Sequence, residues 1–208
     1  MEHQFWHQRW EQGRIGFHQS DINPMLRKHW HTISPTCNTV FVPLCGKTQD
    51  MWWLREQGLE VVGCELSHQA CAAFFSEAGI NPDISEHAAH HCYQGEGITL
   101  WAGDFFALSP EVLGPIGAFF DRAALIALPP AMRIRYAEHL RHLTSHHTLA
   151  PGLLITLEYQ QSERQGPPFA VLEDEVEALY ARHYHIDMLE SQEIDHKGID
   201  RAYCIQPL

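Results

Sequence analysis

Residues 40–50 read VFVPLCGKTQD, an apolar run that stops at Gly46 and opens into a helix-forming stretch. The Gly-Lys-Thr inside it invites reading as a phosphate-binding loop. Such a loop needs a glycine five residues before the Gly-Lys pair, so that successive N–H groups can wrap a phosphate. Phe41 holds that position, inside the apolar run, and leaves Lys47 without an anion-binding nest. The stretch therefore reads as a buried strand, a turn hinging on Gly46 and a helix, one half of a nucleotide-binding βαβ unit.

Working outward, short apolar runs rich in branched and aromatic residues recur at 39–43, 60–64, 98–102, 116–121 and 152–158 and are expected to be strands. Helical patterns separate most of them: 48–57, 67–78 with Ser67 as N-cap, and 130–146 with Met132, Tyr136, Leu140 and Leu143 on one face. A further helix follows Pro167-Pro168, with Leu172, Val176, Leu179 and Tyr180 as its apolar stripe. HIDMLES and RAYCIQPL then form two last strands, joined as a hairpin by the turn residues at 195–199. The expectation is a single α/β domain over 1–208 with helices on both faces of a seven-stranded, mostly parallel sheet containing one antiparallel strand. Residues 1–36 stand apart. Phe5, Trp6 and Trp10 form an aromatic stripe at helical spacing before Gly13, Gly16 and Phe17, which suits a helical lid over a Rossmann-like core at 37–208.

Composition narrows the function. A chain of 208 residues buries roughly 70% of its unfolded surface and needs no covalent staples. Fourteen basic against 26 acidic side chains give a formal charge of −12, the opposite of a nucleic-acid footprint. No stretch reaches membrane-spanning length and the polar start has no apolar signal region, so a soluble, cytoplasmic protein is expected, and a monomer, since no long apolar stripe is left over once the sheet and its helices are assigned. Six cysteines without a C-x-x-C pair read as reduced packing residues. His87, His90, His91 and Cys92 lie in the polar stretch 84–97, ISEHAAHHCYQGEG, which reads as a solvated connection rather than a metal site.

In an open α/β sheet, ligands bind beyond the carboxyl ends of the strands. Four such ends carry chemistry. Leu44, Cys45 and Gly46 follow the first strand, where a missing side chain lets backbone approach a ligand. Glu65 follows the second, placed to accept both hydroxyls of a ribose. Gly103-Asp104-Phe105 follows the third, a polar group and an aromatic face suited to adenine; Asp121-Arg122 follows the fourth. Singly, each fits a turn, a helix cap or a structural ion pair. Jointly they favour a nucleoside-containing cofactor. The single glycine after the first strand disfavours a dinucleotide, which wants G-x-G-x-x-G there, and S-adenosylmethionine fits better.

FWHQRWEQGRIGFHQ, FVPLCGKTQDMWWLREQGLEVVGCELS, FFDRAALIALPPAMRIRYA and QGPPFAV together resemble the thiopurine S-methyltransferase family, in its bacterial form more than its animal form, over nearly the whole chain. The resemblance implies a class I methyltransferase that moves the methyl of S-adenosylmethionine in line to an aromatic or heterocyclic thiol such as 6-mercaptopurine, releasing S-adenosylhomocysteine. A same-fold enzyme acting on selenium or tellurium species or another small metabolite is the alternative. It further implies that Trp10, Leu44, Glu65 and Arg122 touch the cofactor, Asp104 and Phe105 its adenine, and that Phe17 and Pro167-Pro168-Phe169 line the acceptor side. Arg122 doubles as the catalytic cation that favours an anionic sulfur. In one departure, Asp195 falls where animal relatives place a substrate-facing basic residue.

Overall fold

The computed structural model describes residues 3–145, 148–194 and 198–208. Its nine strands are β1 (Thr39–Val42), β2 (Glu60–Glu65), β3 (Asp83–His87), β4 (His90–Gly95), β5 (Ile98–Ala102), β6 (Ala118–Arg122), β7 (Gly152–Glu158), β8 (Tyr184–Glu193) and β9 (Ile199–Pro207). They form one sheet in the order β3-β4-β5-β2-β1-β6-β7-β9-β8. The five central strands pair in parallel, and β9 runs against both β7 and β8. The helices are α1 (His3–Glu11), α2 (Pro24–His29), α3 (Asp50–Glu56), α4 (His68–Glu77), α5 (Pro110–Leu113), α6 (Pro130–Leu143) and α7 (Glu173–Tyr180).

Near-continuous apolar runs are what strands buried on both faces require. On one face Val40, Val42, Ala118 and Phe120 pack with Met25 and Leu26 of α2, Met51 and Leu54 of α3, and Phe74 and Phe75 of α4. On the other, Phe41 and Phe119 pack with Tyr136 and Leu140 of α6 and Val176 and Tyr180 of α7. Capping sets where two of these helices begin. Ser67 Oγ accepts from Ala70 N at 3.3 Å ahead of α4, and Asn23 Oδ1 accepts from Met25 N at 2.9 Å ahead of α2, contacts worth about 1 kcal/mol each. Gly63 in β2 is fixed by close approach: a Cβ there would stand 2.7 Å from both Cys45 Sγ and Leu100 Cδ2.

The seven expected strands are all present with their one antiparallel member, but the sheet has nine. Residues 84–97 are not a solvated connection. They belong to a β3-β4 hairpin that extends the edge beyond β5. β3 is exposed throughout, and only His90, Cys92 and Tyr93 of β4 are buried, so the hairpin lacks the apolar run of a central strand. Among the described residues, no group of three or more His, Cys, Asp and Glu is placed to hold a metal. His90 Nε2 instead lies 2.9 Å from the Asp104 carbonyl. All six cysteines are free thiols, five of them buried. Leu172 does not join the buried stripe of α7. It precedes the first turn and is 44% exposed. Asp195, His196 and Lys197 of the final turn, and His146 at the expected end of α6, lie outside the described residues. No helix among the described residues is long and apolar enough to cross a membrane.

Asp121 shows how the strand period divides labour at the end of β6. It points to the α6 side, where Oδ2 accepts from the Tyr136 hydroxyl at 2.7 Å and Oδ1 from Leu125 N at 3.3 Å. Burial raises its pKa to about 6, against the lowering effect of those hydrogen bonds. The folded state therefore holds this proton more tightly than the unfolded chain, and stability falls as pH rises between about 4 and 6. Asp121→Asn removes that titration. The stability of wild type relative to Asp121→Asn is expected to drop by about 2 kcal/mol between pH 4.5 and pH 7 in urea melts, and a constant difference would show that Asp121 does not titrate in this window.

Candidate active site

The carboxyl ends of β1, β2, β6 and β7 open onto a cavity of about 490 Å³, roofed by α1 and the segment after it. Two non-glycine residues with positive φ sit on its wall, Leu44 (φ 45°) after β1 and Ala123 (φ 69°) after β6. Each left-handed residue costs about 1–2 kcal/mol and persists only where surrounding contacts impose it. For Leu44 those contacts are visible. Cys45 N donates to Cys64 O at 2.9 Å, and Gly46 (φ 56°) N donates to Glu65 Oε2 at 2.9 Å, which pins the turn after β1 to the end of β2.

Glu65 is 7% exposed and is the centre of this arrangement. Its other oxygen accepts from Ser67 N at 2.8 Å, and the Trp10 side chain donates to the same carboxylate. Burial raises its pKa, while these N–H donors pull it back. A carboxylate offers about four lone-pair positions, and Gly46 N, Ser67 N, Leu66 N and the Trp10 side chain draw on all of them. In this arrangement Glu65 cannot accept a ribose hydroxyl unless Trp10 withdraws, which tightens the expectation from sequence.

Trp10 reaches Glu65 because α1 lies across the cavity mouth. Its indole is 6% exposed and would meet a Cβ on Gly46 at 3.5 Å. Phe17 packs edge-on against both Trp6 and Trp10, with ring centroids 5.6 and 5.5 Å away. The aromatic stripe thus forms a cap held together by its own rings and fastened to Glu65.

Charge enters from the opposite wall. Arg122 faces the cavity, and among the described residues it makes no hydrogen bond and no ion pair. Burial lowers its pKa, and the Asp50 and Asp200 carboxylates act in the other direction. Asp50 is already engaged, accepting from Asn23 N at 2.7 Å and the Thr48 hydroxyl at 2.9 Å. A guanidinium stays charged in such a setting, so the cavity presents a desolvated cation ready for an anion. Lys47, by contrast, is neutralised by Glu77 at 2.5 Å.

Of the residues singled out from sequence, the fold brings Trp10, Phe17, Leu44, Gly46, Glu65 and Arg122 into one cavity wall. Pro167 and Pro168 join them, but Phe169 does not: its ring folds over Gly166, and its N–H donates to Ile126 O at 2.7 Å. Asp104 and Phe105 are also outside the lining. Asp104 Oδ1 caps the 3-10 turn of 105–107 by accepting from Phe106 N at 3.0 Å. The Phe105 ring is 1% exposed, stacked on Phe41 and tilted against Tyr136, so it offers no aromatic face to a ligand in this cavity. Sequence reading missed Asp200, which lines the cavity from β9. An acidic residue entering an apolar strand was the available signal, but its facing depends on the β7-β9 register.

Three similarities bear on this site. The model of the family described as Thiopurine S-methyltransferase (TPMT) matches residues 1–204. A thiopurine S-methyltransferase of Pseudomonas fluorescens (strain SBW25) is 48% identical over 198 residues, covering 93% of this chain and 88% of the relative; one of Pseudomonas aeruginosa (strain UCBPP-PA14) is 48% identical over 195, with the same coverage. Among solved structures, the 1,6-didemethyltoxoflavin-N1-methyltransferase of Burkholderia thailandensis, crystallised with 1,6-didemethyltoxoflavin and S-adenosylhomocysteine, superposes with a TM-score of 0.65. It is 16% identical and is matched over 99% of this chain and 87% of its own, a likeness of fold.

The N–H donors on Glu65 carry a stability consequence. Glu65→Ala strands them, and the urea midpoint should fall by the equivalent of about 2–3 kcal/mol, with Glu65→Gln costing less because an amide oxygen still accepts. Equal midpoints for wild type and Glu65→Ala would mean that the carboxylate does not hold the turn.

Proposed function

The chain belongs to the thiopurine S-methyltransferase family, and we propose that its cavity seats S-adenosylmethionine over Gly46 and Glu65 with an aromatic or heterocyclic thiol against Arg122. The protein is a methyltransferase that uses S-adenosylmethionine and acts on thiopurine-like acceptors. The observation carrying the site assignment is the Arg122 guanidinium, which makes no ion pair among the described residues, a desolvated cation facing the same cavity as a buried carboxylate and a bare turn.

The cavity suits that cofactor on its own chemistry. Gly46 presents backbone without a side chain, Glu65 gains lone-pair capacity for a ribose hydroxyl when the Trp10 side chain withdraws, and the indole packs over the Gly46 turn. When bound, S-adenosylmethionine supplies an electrophilic methyl on a sulfonium. The chain's part is to align the acceptor and exclude water, since in-line transfer to a soft nucleophile needs no covalent enzyme intermediate. Arg122 favours the ionised sulfur, because a fixed positive charge lowers the pKa of a neighbouring acid. Phe17 and Trp6 close the mouth over both reactants. Asp121, wholly buried against Tyr136, has no access to the acceptor.

The remaining expectations are part of the same proposal: one functional unit over 1–208, with residues 1–36 as its lid, a small-molecule acceptor, no nucleic acid, and a cytoplasmic monomer. A charge of −12 and a cavity closed over by α1 support them.

The purified protein is expected to transfer labelled methyl from S-adenosylmethionine to 6-mercaptopurine. Arg122→Gln should lower kcat by on the order of 100-fold, the usual effect of deleting a group that stabilises charge at the reacting centre, with cofactor affinity changed far less. No turnover by wild type that still binds the cofactor would transfer the assignment to another acceptor. Trp10→Ala should weaken cofactor binding by roughly tenfold in calorimetric titration. An unchanged Kd would reduce α1 to packing.

A further inference from the structure

Asp200 is an acidic cavity residue for which this reading has no use. It stands in β9 opposite Leu157, while Arg122 stands in β6 opposite Ile155, which in turn is opposite Ala202. Directly paired residues, and residues two apart on one strand, share a face of the sheet. Arg122, Ile155, Leu157, Ala202 and Asp200 therefore lie on one face, with Arg122 and Asp200 separated by β7 and offset by two residues along it, roughly 12 Å of backbone. Both side chains line the cavity.

They nevertheless do not pair. Among the described residues Asp200 makes no hydrogen bond and no ion pair, and Arg122 makes none either. Two opposite charges on one wall of a half-desolvated cavity would normally close into a salt bridge, because each unpaired charge is costly there. The sheet holds them apart over the apolar surface of Ile155 and Leu157, leaving a cation and an anion facing a shared gap. Burial raises the Asp200 pKa and Arg122 lowers it.

A ligand that fits this gap carries an electron-rich atom for Arg122 and a hydrogen-bond donor for Asp200 on one flat frame. A heterocyclic thione has that form, with sulfur and ring N–H on one conjugated frame. We propose that Asp200 is the group that accepts the ring N–H of a heterocyclic thione acceptor, and takes that proton as the sulfur is methylated. The proposal rests on the acceptor reading given above. In the balanced step the sulfur–methyl bond forms as the methyl–sulfonium bond breaks, and the electron pair stays on the departing thioether sulfur. The ring N–H proton passes to the Asp200 carboxylate and then to solvent, its electron pair delocalises onto the sulfur beside Arg122, and methylation of that ionised sulfur gives the neutral S-methyl product. Asp200 is thereby a specificity determinant, separating heterocyclic thiones from simple aryl thiols, which have no ring N–H to give up.

The test compares 6-mercaptopurine with thiophenol in wild type, Asp200→Asn and Asp200→Glu, with cofactor binding measured by titration to establish that each variant is folded. Asp200→Asn is expected to lower the kcat/KM ratio of 6-mercaptopurine over thiophenol by about 30-fold, the scale of one hydrogen bond to a charged group, and Asp200→Glu to restore part of it. A general structural role would depress both acceptors alike and leave that ratio in place. An unchanged ratio in a variant that binds the cofactor overturns the assignment of Asp200. Wild type that methylates neither thiol overturns the acceptor reading, and this inference with it.

Discussion

The site is organised by one buried carboxylate. Glu65 ends β2, and its two oxygens hold Gly46 N from the turn after β1 and Ser67 N from the start of α4, while the Trp10 side chain reaches it from α1. Three segments far apart in the chain converge on a single acceptor group. Their donors need a charged acceptor because they are out of water, and the carboxylate tolerates burial because these donors, with Leu66 N, are present. The left-handed turn at Leu44, the entry of α4 and the position of the lid depend on that mutual requirement.

The opposite wall follows from the period of a strand. Asp121 and Arg122 are neighbours in sequence, yet successive side chains leave β6 on opposite faces. Asp121 goes toward α6 and is consumed by Tyr136 and the backbone of the following turn; Arg122 goes toward the cavity and makes no ion pair among the described residues. The same period places Asp200 on the face of Arg122. One acidic residue is thus structural and another is chemically available, although both stand at strand ends.

Legibility differed by element for a physical reason. The runs 98–102 and 152–158 coincide with β5 and β7, because strands buried on both faces must be apolar at nearly every position. Ser67 marked the start of α4 for an equally local reason, since a cap acts within three residues. The β3-β4 hairpin stayed hidden because it is an edge with one face toward solvent. Its His, Ser and Glu residues carry the same letters a loop would, and its pairing to β5 is a long-range fact. Phe105 misled for a related reason: an aromatic after a strand serves a core or a ligand equally well, and only its packing on Phe41 decides between them.

By itself the sequence determined the order and type of the central elements, the glycine turn after β1, and the strand ends at which Glu65 and Arg122 would stand, since these follow from local apolar patterning and backbone freedom. It also carried the family likeness. Only the tertiary structure decided that Trp10 shares the Glu65 carboxylate, that Asp104, Phe105 and Phe169 turn away from the cavity, and that Asp200 faces Arg122 across β7. The physical reason is common to all of these. Whether a polar or aromatic side chain is spent on the fold or left for a ligand depends on which distant groups reach it first, and strand register sets that, being fixed by the whole sheet rather than by neighbours in the chain.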